Sequence, residues 1–380
     1  MTHILSPLPV DPRDPAAILE DLEAAIAGQA TLLPLPAIDL TRAQLLRNHM
    51  RAGEAIDSSI ALVVATSGST GTPKGAQLTA ANLVSSADAT HRALGGTGQW
   101  LLAMPASHIA GIQVLVRSLV AGVEPLCLDL SQGFNIGDFA SAAHELHATG
   151  DRSYTALTPM QLAKAMDSLE GIEALRTFDA ILVGGAATHP QLLDSAKKLR
   201  ISIVTTYGSS ETSGGCVYNG APLPGARVRI GENGRIFLGG PMIAQGYRNV
   251  DSSAFSVNES GTPWFATSDA GALIDGHLTV TGRLDSIINT GGLKLHPEQL
   301  EQHILRVPGV EAACVVGIPD PRLGQMVVAA YSGWASRADI LETLDDLPRW
   351  QVPKDLRRLD ALPTIGPGKL NRQAVAELFA

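Results

Sequence analysis

Apolar and polar positions change their spacing several times along the chain, and each change marks a different kind of element. Residues 14–26 (DPAAILEDLEAAI) space their apolar side chains near 3.6 residues, so residues 1–55 are expected to be helical and loosely organised. Ile60–Ala65 (IALVVA) is an unbroken apolar run, the pattern of a strand buried on both faces. A Ser/Thr/Gly/Pro-rich loop follows over 66–75, and Thr79 is placed to cap a helix that starts just after it. Further apolar runs fall at 100–104, 125–130, 154–157, Ala180–Val183 and 201–205. Helical patterns separate most of them, which predicts parallel α/β winding.

After residue 220 the texture becomes antiparallel. Segment 228–238 (VRIGENGRIFL) reads as a hairpin turning at Asn233-Gly234, and 273–280 (LIDGHLTV) as another turning at Asp275-Gly276. The last part predicts a helix over 297–306, strands over 312–318 and 326–331, a helix over 336–344 and a short strand over 356–359. The expected fold class is therefore α/β. A large N-terminal domain (1–284) carries mixed, mainly parallel sheets with helices and a small antiparallel β part. A small α+β C-terminal domain (285–380) follows, with the boundary near 282–286.

Composition narrows the function. Of 380 residues, 45% are hydrophobic and 17% charged, enough apolar material for a substantial core. The net charge of −9 comes with no basic run, and aromatics are only 4%, so no nucleic-acid partner is expected. Cys127, Cys216 and Cys314 lie far apart, which argues against a disulfide framework or a zinc site and for a cytoplasmic location. No signal peptide is expected at the N-terminus, and no apolar stretch reaches the ~18 residues of a membrane span. Composition does not set the oligomeric state.

The strongest chemical signal is TSGSTGTPKG at 66–75. Small residues let backbone N–H groups approach an anion, hydroxyls add donors, and Lys74 adds a mobile cation. The loop is suited to the phosphates of a nucleotide. It is not a Walker A loop, because Lys74 lies between Pro73 and Gly75. No G-x-G-x-x-G opens a helix here, and no serine has glycines at both ±2 positions.

This loop closely resembles the signature loop of the adenylate-forming superfamily, which includes acyl-CoA synthetases, luciferases and adenylation domains. The resemblance continues in order to the end of the chain. It implies that Thr66, Ser67, Gly68, Ser69, Thr70, Gly71 and Lys74 hold the phosphates of ATP. VGGAA at 183–187 resembles the segment lining the adenine, which implicates Gly184 and Gly185. YGSSET at 207–212 resembles the next motif: Tyr207 stacks on adenine, Ser210 touches phosphate, Glu211 supports Mg²⁺, and Gly208 borders the acyl substrate. WFATSDAG at 264–271 assigns Asp269 to the ribose hydroxyls. GRLDS at 282–286 assigns Arg283 to ribose or phosphate and Asp285 to a hinge about which the C-terminal domain moves. GGLKLHPEQLE at 291–301 resembles the loop and helix that follow the hinge. GKLNR at 368–372 makes Lys369 the adenylation lysine.

The implied reaction is ATP-dependent activation of a carboxylic acid, then transfer of the acyl group to coenzyme A. Segment 105–119 (PASHIAGIQVLVRSL) points toward the acid. Its P-x-S-H-I-A-G form with a following arginine resembles o-succinylbenzoate-CoA ligases of menaquinone biosynthesis, with His108 and Arg117 at the acyl pocket. Another aryl or fatty acid, or a non-catalytic nucleotide-binding homologue, are the alternatives. His91, His144 and His147 are expected to be surface or core residues.

Overall fold

The computed structural model describes residues 2–66, 72–365 and 369–379, without the side chains of Ile365 and Lys369. Its centre is a seven-stranded sheet in the order Ala221–Pro222, Gly214–Tyr218, Ile203–Ser209, Ala180–Val183, Ser153–Leu157, Gln99–Leu102, Leu126–Cys127. The strands from Ile203–Ser209 to Leu126–Cys127 pair in parallel. Read from Leu126–Cys127 to Ile203–Ser209, those five run 2-1-3-4-5 in sequence terms. The winding direction therefore reverses between Gln99–Leu102 and Ser153–Leu157. In such a sheet, ligands bind beyond the carboxyl ends of the strands at that reversal. Two apolar clusters cover the sheet: Trp100, Leu102, Tyr154, Ile112 and Leu115 belong to one, and Leu101, Phe139, Leu157 and Ile181 to the other.

The N-terminal 55 residues differ from the loose helical expectation. Thr2–Val10 and Thr31–Pro36 are strands of a five-stranded sheet with Ala55–Asp57, Ile60–Ala65 and Gly75–Thr79. Only Leu19–Ile26 and Leu40–His49 are α-helices there. Prolines at 7, 9, 34 and 36 hide the strand pattern. Pro7 and Pro9 are tolerated because the second neighbour, Ala55–Asp57, pairs only with Thr2–Ile4, so the proline stretch has one edge without a ladder partner. Leu5, Leu33 and Leu35 are fully buried beneath this sheet with Met50 and Val63.

The cap and the two hairpins expected from the sequence are present. Thr79 caps Ala80–Ala93 in a reciprocal box with Asn82. Arg227–Ile230 and Arg235–Gly239 form the first hairpin, with Asn233 at φ 56° in its turn. Pro263–Ile274 and His277–Arg283 form the second, with Asp275 and Gly276 both at positive φ as a type I′ turn requires.

A separate apolar core begins at Ile288. The strands Leu293–Leu295, Ile288–Thr290, Gly324–Gly333 and Val310–Asp320 lie side by side, and Asp355–Arg358 adds in parallel to Gly324–Gly333. Arg372, at the start of the last helix, fastens this part to itself. It donates to Glu301 Oε1 and Oε2 (2.5 and 3.0 Å), Glu298 Oε1 (3.1 Å) and Val315 O (2.8 Å). Glu298 also accepts from Ser286 Oγ at 2.8 Å, so the same carboxylate touches the connection between the two parts. Among the described residues, no helix is long and apolar enough to cross a membrane.

Candidate active site

The carboxyl edge of the central sheet collects Gly184, Gly185, Tyr207, Gly208, Ser210 and Glu211. Gly184 and Gly185 follow the strand Ala180–Val183. A Cβ on Gly184 would meet Thr206 Oγ1 at 2.2 Å, so its backbone packs where no side chain fits. Gly185 has φ +85° and open space beside it. On the neighbouring strand the register shifts between Tyr207 and Gly208. A Cβ on Gly208 would lie 2.1 Å from Gly214 O. This bulge turns the chain into the short 3₁₀ turn Ser210–Thr212. Ser210 and Glu211 are both buried in that turn. The Ser209 hydroxyl, which sequence reasoning passes over, is buried with no hydrogen-bond partner among the described residues.

Two polar groups form at this edge. In the first, Tyr207 donates to Asp269 Oδ2 at 2.7 Å, and Arg283 Nη1 lies 3.6 Å from Asp269 Oδ1. Cross-strand pairing of Asp269 with Arg283 sets that contact. Arg283 also grips Asp285 with two bonds of 2.8 and 2.6 Å. Burial raises the Asp269 pKa above the usual carboxylate value, opposed by the Tyr207 hydroxyl and the Arg283 charge. Burial, then the Asp269 charge, pushes the Tyr207 hydroxyl up as well, so it remains a donor.

In the second group, Glu211 Oε1 accepts from Tyr247 at 2.7 Å, and Lys74 Nζ stands 5.1 Å from the centre of the Tyr247 ring. Tyr247 belongs to a segment that clamps the base of the loop 66–75. Asn249 accepts from Gly75 N–H (3.1 Å) and donates to Pro73 O (2.9 Å), and Arg248 N–H donates to Gly75 O at 2.7 Å. Thr66 N–H bonds Lys74 O at 2.7 Å across the loop's neck. Sequence reasoning misses Tyr247 and Asn249. Their signal, two polar side chains near a glycine about 170 residues from the loop, becomes visible only through the fold. Ser67, Gly68, Ser69, Thr70 and Gly71 lie outside the described residues. Lys369 pairs with Ile365 through its backbone in a two-stranded ladder. Its side chain also lies outside the described set.

Glu211 fits magnesium by its donor chemistry. Among the described residues, no three His, Cys, Asp or Glu side chains converge on one point. A single carboxylate, completed by phosphate oxygens and water, is the usual ligand set of Mg²⁺ beside a nucleotide.

His108 stands at the start of the helix Ile109–Ala121, just past the carboxyl end of Gln99–Leu102. His108 is an exposed residue with protein packed around it. That surrounding protein, with a smaller contribution from Arg42, holds its imidazole below the usual value. Arg117 lies nine residues further along the same helix and is buried. Its guanidinium sits 4.8 Å from the Trp100 ring centre, and Nη2 reaches Tyr218 Oη at 3.5 Å. No carboxylate pairs with it among the described residues, and its Nε has no partner there. Arg117 is thus buried against Trp100 and Tyr218, in the core.

A sequence profile of AMP-binding enzymes matches residues 11–248, and one for the C-terminal domain of AMP-binding enzymes matches residues 299–369. The chain belongs to the AMP-binding enzyme family. Within that family it is 44% identical to a probable 2-succinylbenzoate–CoA ligase of Mycobacterium tuberculosis, over 93% of this chain and 97% of the relative. It is 30% identical to the 2-succinylbenzoate–CoA ligase of Escherichia coli K12, over 97% of this chain and 81% of the relative. The fold matches that of Bacillus subtilis o-succinylbenzoate CoA synthetase in complex with its acyl-adenylate intermediate (TM-score 0.74, 24% identity, 96% of this chain and 81% of that one). It also matches ATP-bound MatB from Rhodopseudomonas palustris (TM-score 0.84, 19% identity, 99% and 89%).

Proposed function

We propose that this protein is an acid–thiol ligase that converts o-succinylbenzoate to its coenzyme A thioester through an acyl-adenylate. A carboxylate is a poor acyl donor because oxide would have to leave. Attack of one carboxylate oxygen on the ATP α-phosphorus forms the acyl-adenylate and expels pyrophosphate. The coenzyme A thiolate then attacks the acyl carbon, and AMP departs with the bonding electrons. Asp269 accepts from the ribose hydroxyls, its position fixed by Tyr207 and Arg283. Gly184 and Gly185 leave room for the flat base beside Tyr207, with Ser210 at the phosphate. The loop 66–75, with Lys74, holds the phosphates, and Tyr247 orients Glu211. Magnesium, when bound at Glu211, neutralises phosphate charge as it builds in the transition state. Lys369 serves the first half-reaction. The part after residue 284 then turns about Asp285 to admit the thiol.

The observation that carries the choice of acid is Arg117. A buried guanidinium without a carboxylate is costly to keep unless a ligand supplies one. A dicarboxylic aryl acid does so, leaving its other carboxylate to reach the ATP. In this reading His108 and Gly208 border the acyl group of the same acid. The identity to the mycobacterial and enterobacterial relatives supports the same reading. The free thiols of Cys127, Cys216 and Cys314 support a cytoplasmic location. Pyrophosphate release across a panel of acids tests the proposal: o-succinylbenzoate should exceed benzoate and fatty acids in kcat/KM by at least an order of magnitude. Equal rates would reject the choice of acid. Lys369→Ala should block adenylate formation and largely spare thioester formation from supplied acyl-adenylate; an equal loss in both would overturn its assignment.

A further inference from the structure

His91 is a core residue, one of the two readings the sequence allows, and its polar surroundings set it apart. It lies in the last turn of the helix Ala80–Ala93 and is only 4% exposed. Its Nε2 faces the Trp100 indole N–H at 3.4 Å. An indole nitrogen can only donate, so Nε2 must be the bare, accepting nitrogen and the imidazole proton sits on Nδ1. That Nδ1 is buried and has no partner among the described residues. His91 therefore presents an unanswered N–H donor inside the protein. The ring stays neutral: burial, then the nearby Arg117 charge, lowers its pKa, outweighing Asp88 one turn away. Asp88 itself faces Arg92 at 3.9 Å on the exposed side of the helix.

A second unanswered donor is Arg117 Nε, on the neighbouring helix. Trp100 joins the two, bonded to His91 and lying under the guanidinium. One helical turn before Arg117, Gln113 Oε1 is also buried without a partner among the described residues. The Gln113 side chain packs 3.3 Å from where a Cβ on Gly214 would stand, and Gly214 in turn abuts Gly208. Three buried polar side chains of this region, His91, Gln113 and Arg117, thus each carry an atom without a partner among the described residues. Water could accept from one N–H, but it would leave the buried guanidinium charge uncompensated. A carboxylate supplies the missing negative charge and accepts well from N–H donors.

We propose that His91 is a specificity-determining residue, its Nδ1–H donating to the second carboxylate of the acid that Arg117 neutralises. This rests on the dicarboxylate reading above and names the second group that recognises it. The imidazole adds direction to a contact that Arg117 alone makes chiefly by charge. It gives the enzyme a reason to reject acids lacking that carboxylate, since both buried donors would then stay unpaired.

The test compares o-succinylbenzoate with its two monocarboxylate analogues, 4-oxo-4-phenylbutanoate and 2-butyrylbenzoate, of which one keeps the reacting carboxyl group. His91→Asn places its amide nitrogen near the position of Nδ1. His91→Gln places it near Nε2 and leaves the Nδ1 position empty. His91→Phe keeps the ring and has no donor. Hydrogen bonds to charged groups are worth enough that His91→Gln and His91→Phe should each raise KM for o-succinylbenzoate about tenfold or more. Their kcat should stay within about twofold, and His91→Asn should retain most of the affinity. KM for the reactive monocarboxylate should not move in any of the three. An equal rise for mono- and dicarboxylates, or equal behaviour of the Asn and Gln variants, overturns the role of His91. Arg117→Lys separates the two ideas. If it discriminates between acids and the His91 variants do not, only the His91 inference fails. If wild-type enzyme itself prefers the monocarboxylate, the dicarboxylate reading fails and His91 with it.

Discussion

Replacing Arg372 by Met isolates the bond set that ties the last helix, and through it the strand bearing Lys369, to the rest of the C-terminal part. The change removes two bonds to Glu301, one to Glu298 and one to Val315 O. The side chain of Glu301 is 8% exposed, so it becomes a buried carboxylate with one remaining bond, from Val315 N–H at 2.7 Å. Breaking a buried pair from one side costs roughly 3–5 kcal/mol, and the surviving bond points to the lower end, about 3 kcal/mol. The loss should depend on pH in a defined direction. Burial already raises the Glu301 pKa above its ordinary value, with Arg372 opposing the rise. Without Arg372 it rises further, so the folded variant takes up a proton that the unfolded chain does not hold. Such a group loses its stabilising effect as pH climbs through the folded pKa. The deficit of Arg372→Met should therefore be largest near pH 8 and shrink toward pH 5. Glu301→Gln added to Arg372→Met should recover much of it. Urea unfolding at both pH values, followed by tryptophan emission to which Trp334 and Trp350 contribute, measures this. A loss under about 1 kcal/mol, or one identical at both pH values, would refute the buried-pair argument.

Three further outcomes follow from the site. Tyr207→Phe removes the 2.7 Å donor from Asp269, so the acid limb of kcat/KM for ATP should move to higher pH, read from a pH–rate profile. Asn249→Ala removes both clamps on the phosphate-loop base; KM for ATP should rise about tenfold with the melting temperature little changed, and an unchanged KM counts against the clamp. Gly184→Ala should weaken nucleotide binding in an equilibrium titration, because its Cβ meets Thr206 Oγ1. Thr206→Ala should restore part of that loss, since the Thr206 carbonyl at 3.2 Å still crowds the methyl.

Much of this arrangement is legible in the amino-acid sequence, for physical reasons. Asn233-Gly234 and Asp275-Gly276 announce their turns because few residues accept positive φ. Buried parallel strands such as Ala180–Val183 must be apolar on both faces. The strands Thr2–Val10 and Thr31–Pro36 are hidden because proline normally excludes a ladder, and here Pro7, Pro9, Pro34 and Pro36 each have one edge without a ladder partner. Tyr207, Glu211, Asp269 and Arg283 stand out because their motifs are local. Tyr247 and Asn249 do not, since their role depends on reaching a loop far away in sequence. Arg117 is recognisable as a candidate cation, but its companion His91 is not. A lone histidine carries no signal until its tautomer and its missing partner are fixed by Trp100.

The most direct test of the account is product analysis by liquid chromatography and mass spectrometry. The purified enzyme receives o-succinylbenzoate, ATP, magnesium and coenzyme A. The account predicts equimolar AMP, pyrophosphate and o-succinylbenzoyl-CoA, with the acyl-adenylate accumulating when coenzyme A is withheld. Release of ADP, or AMP formation that does not depend on the acid, would contradict it.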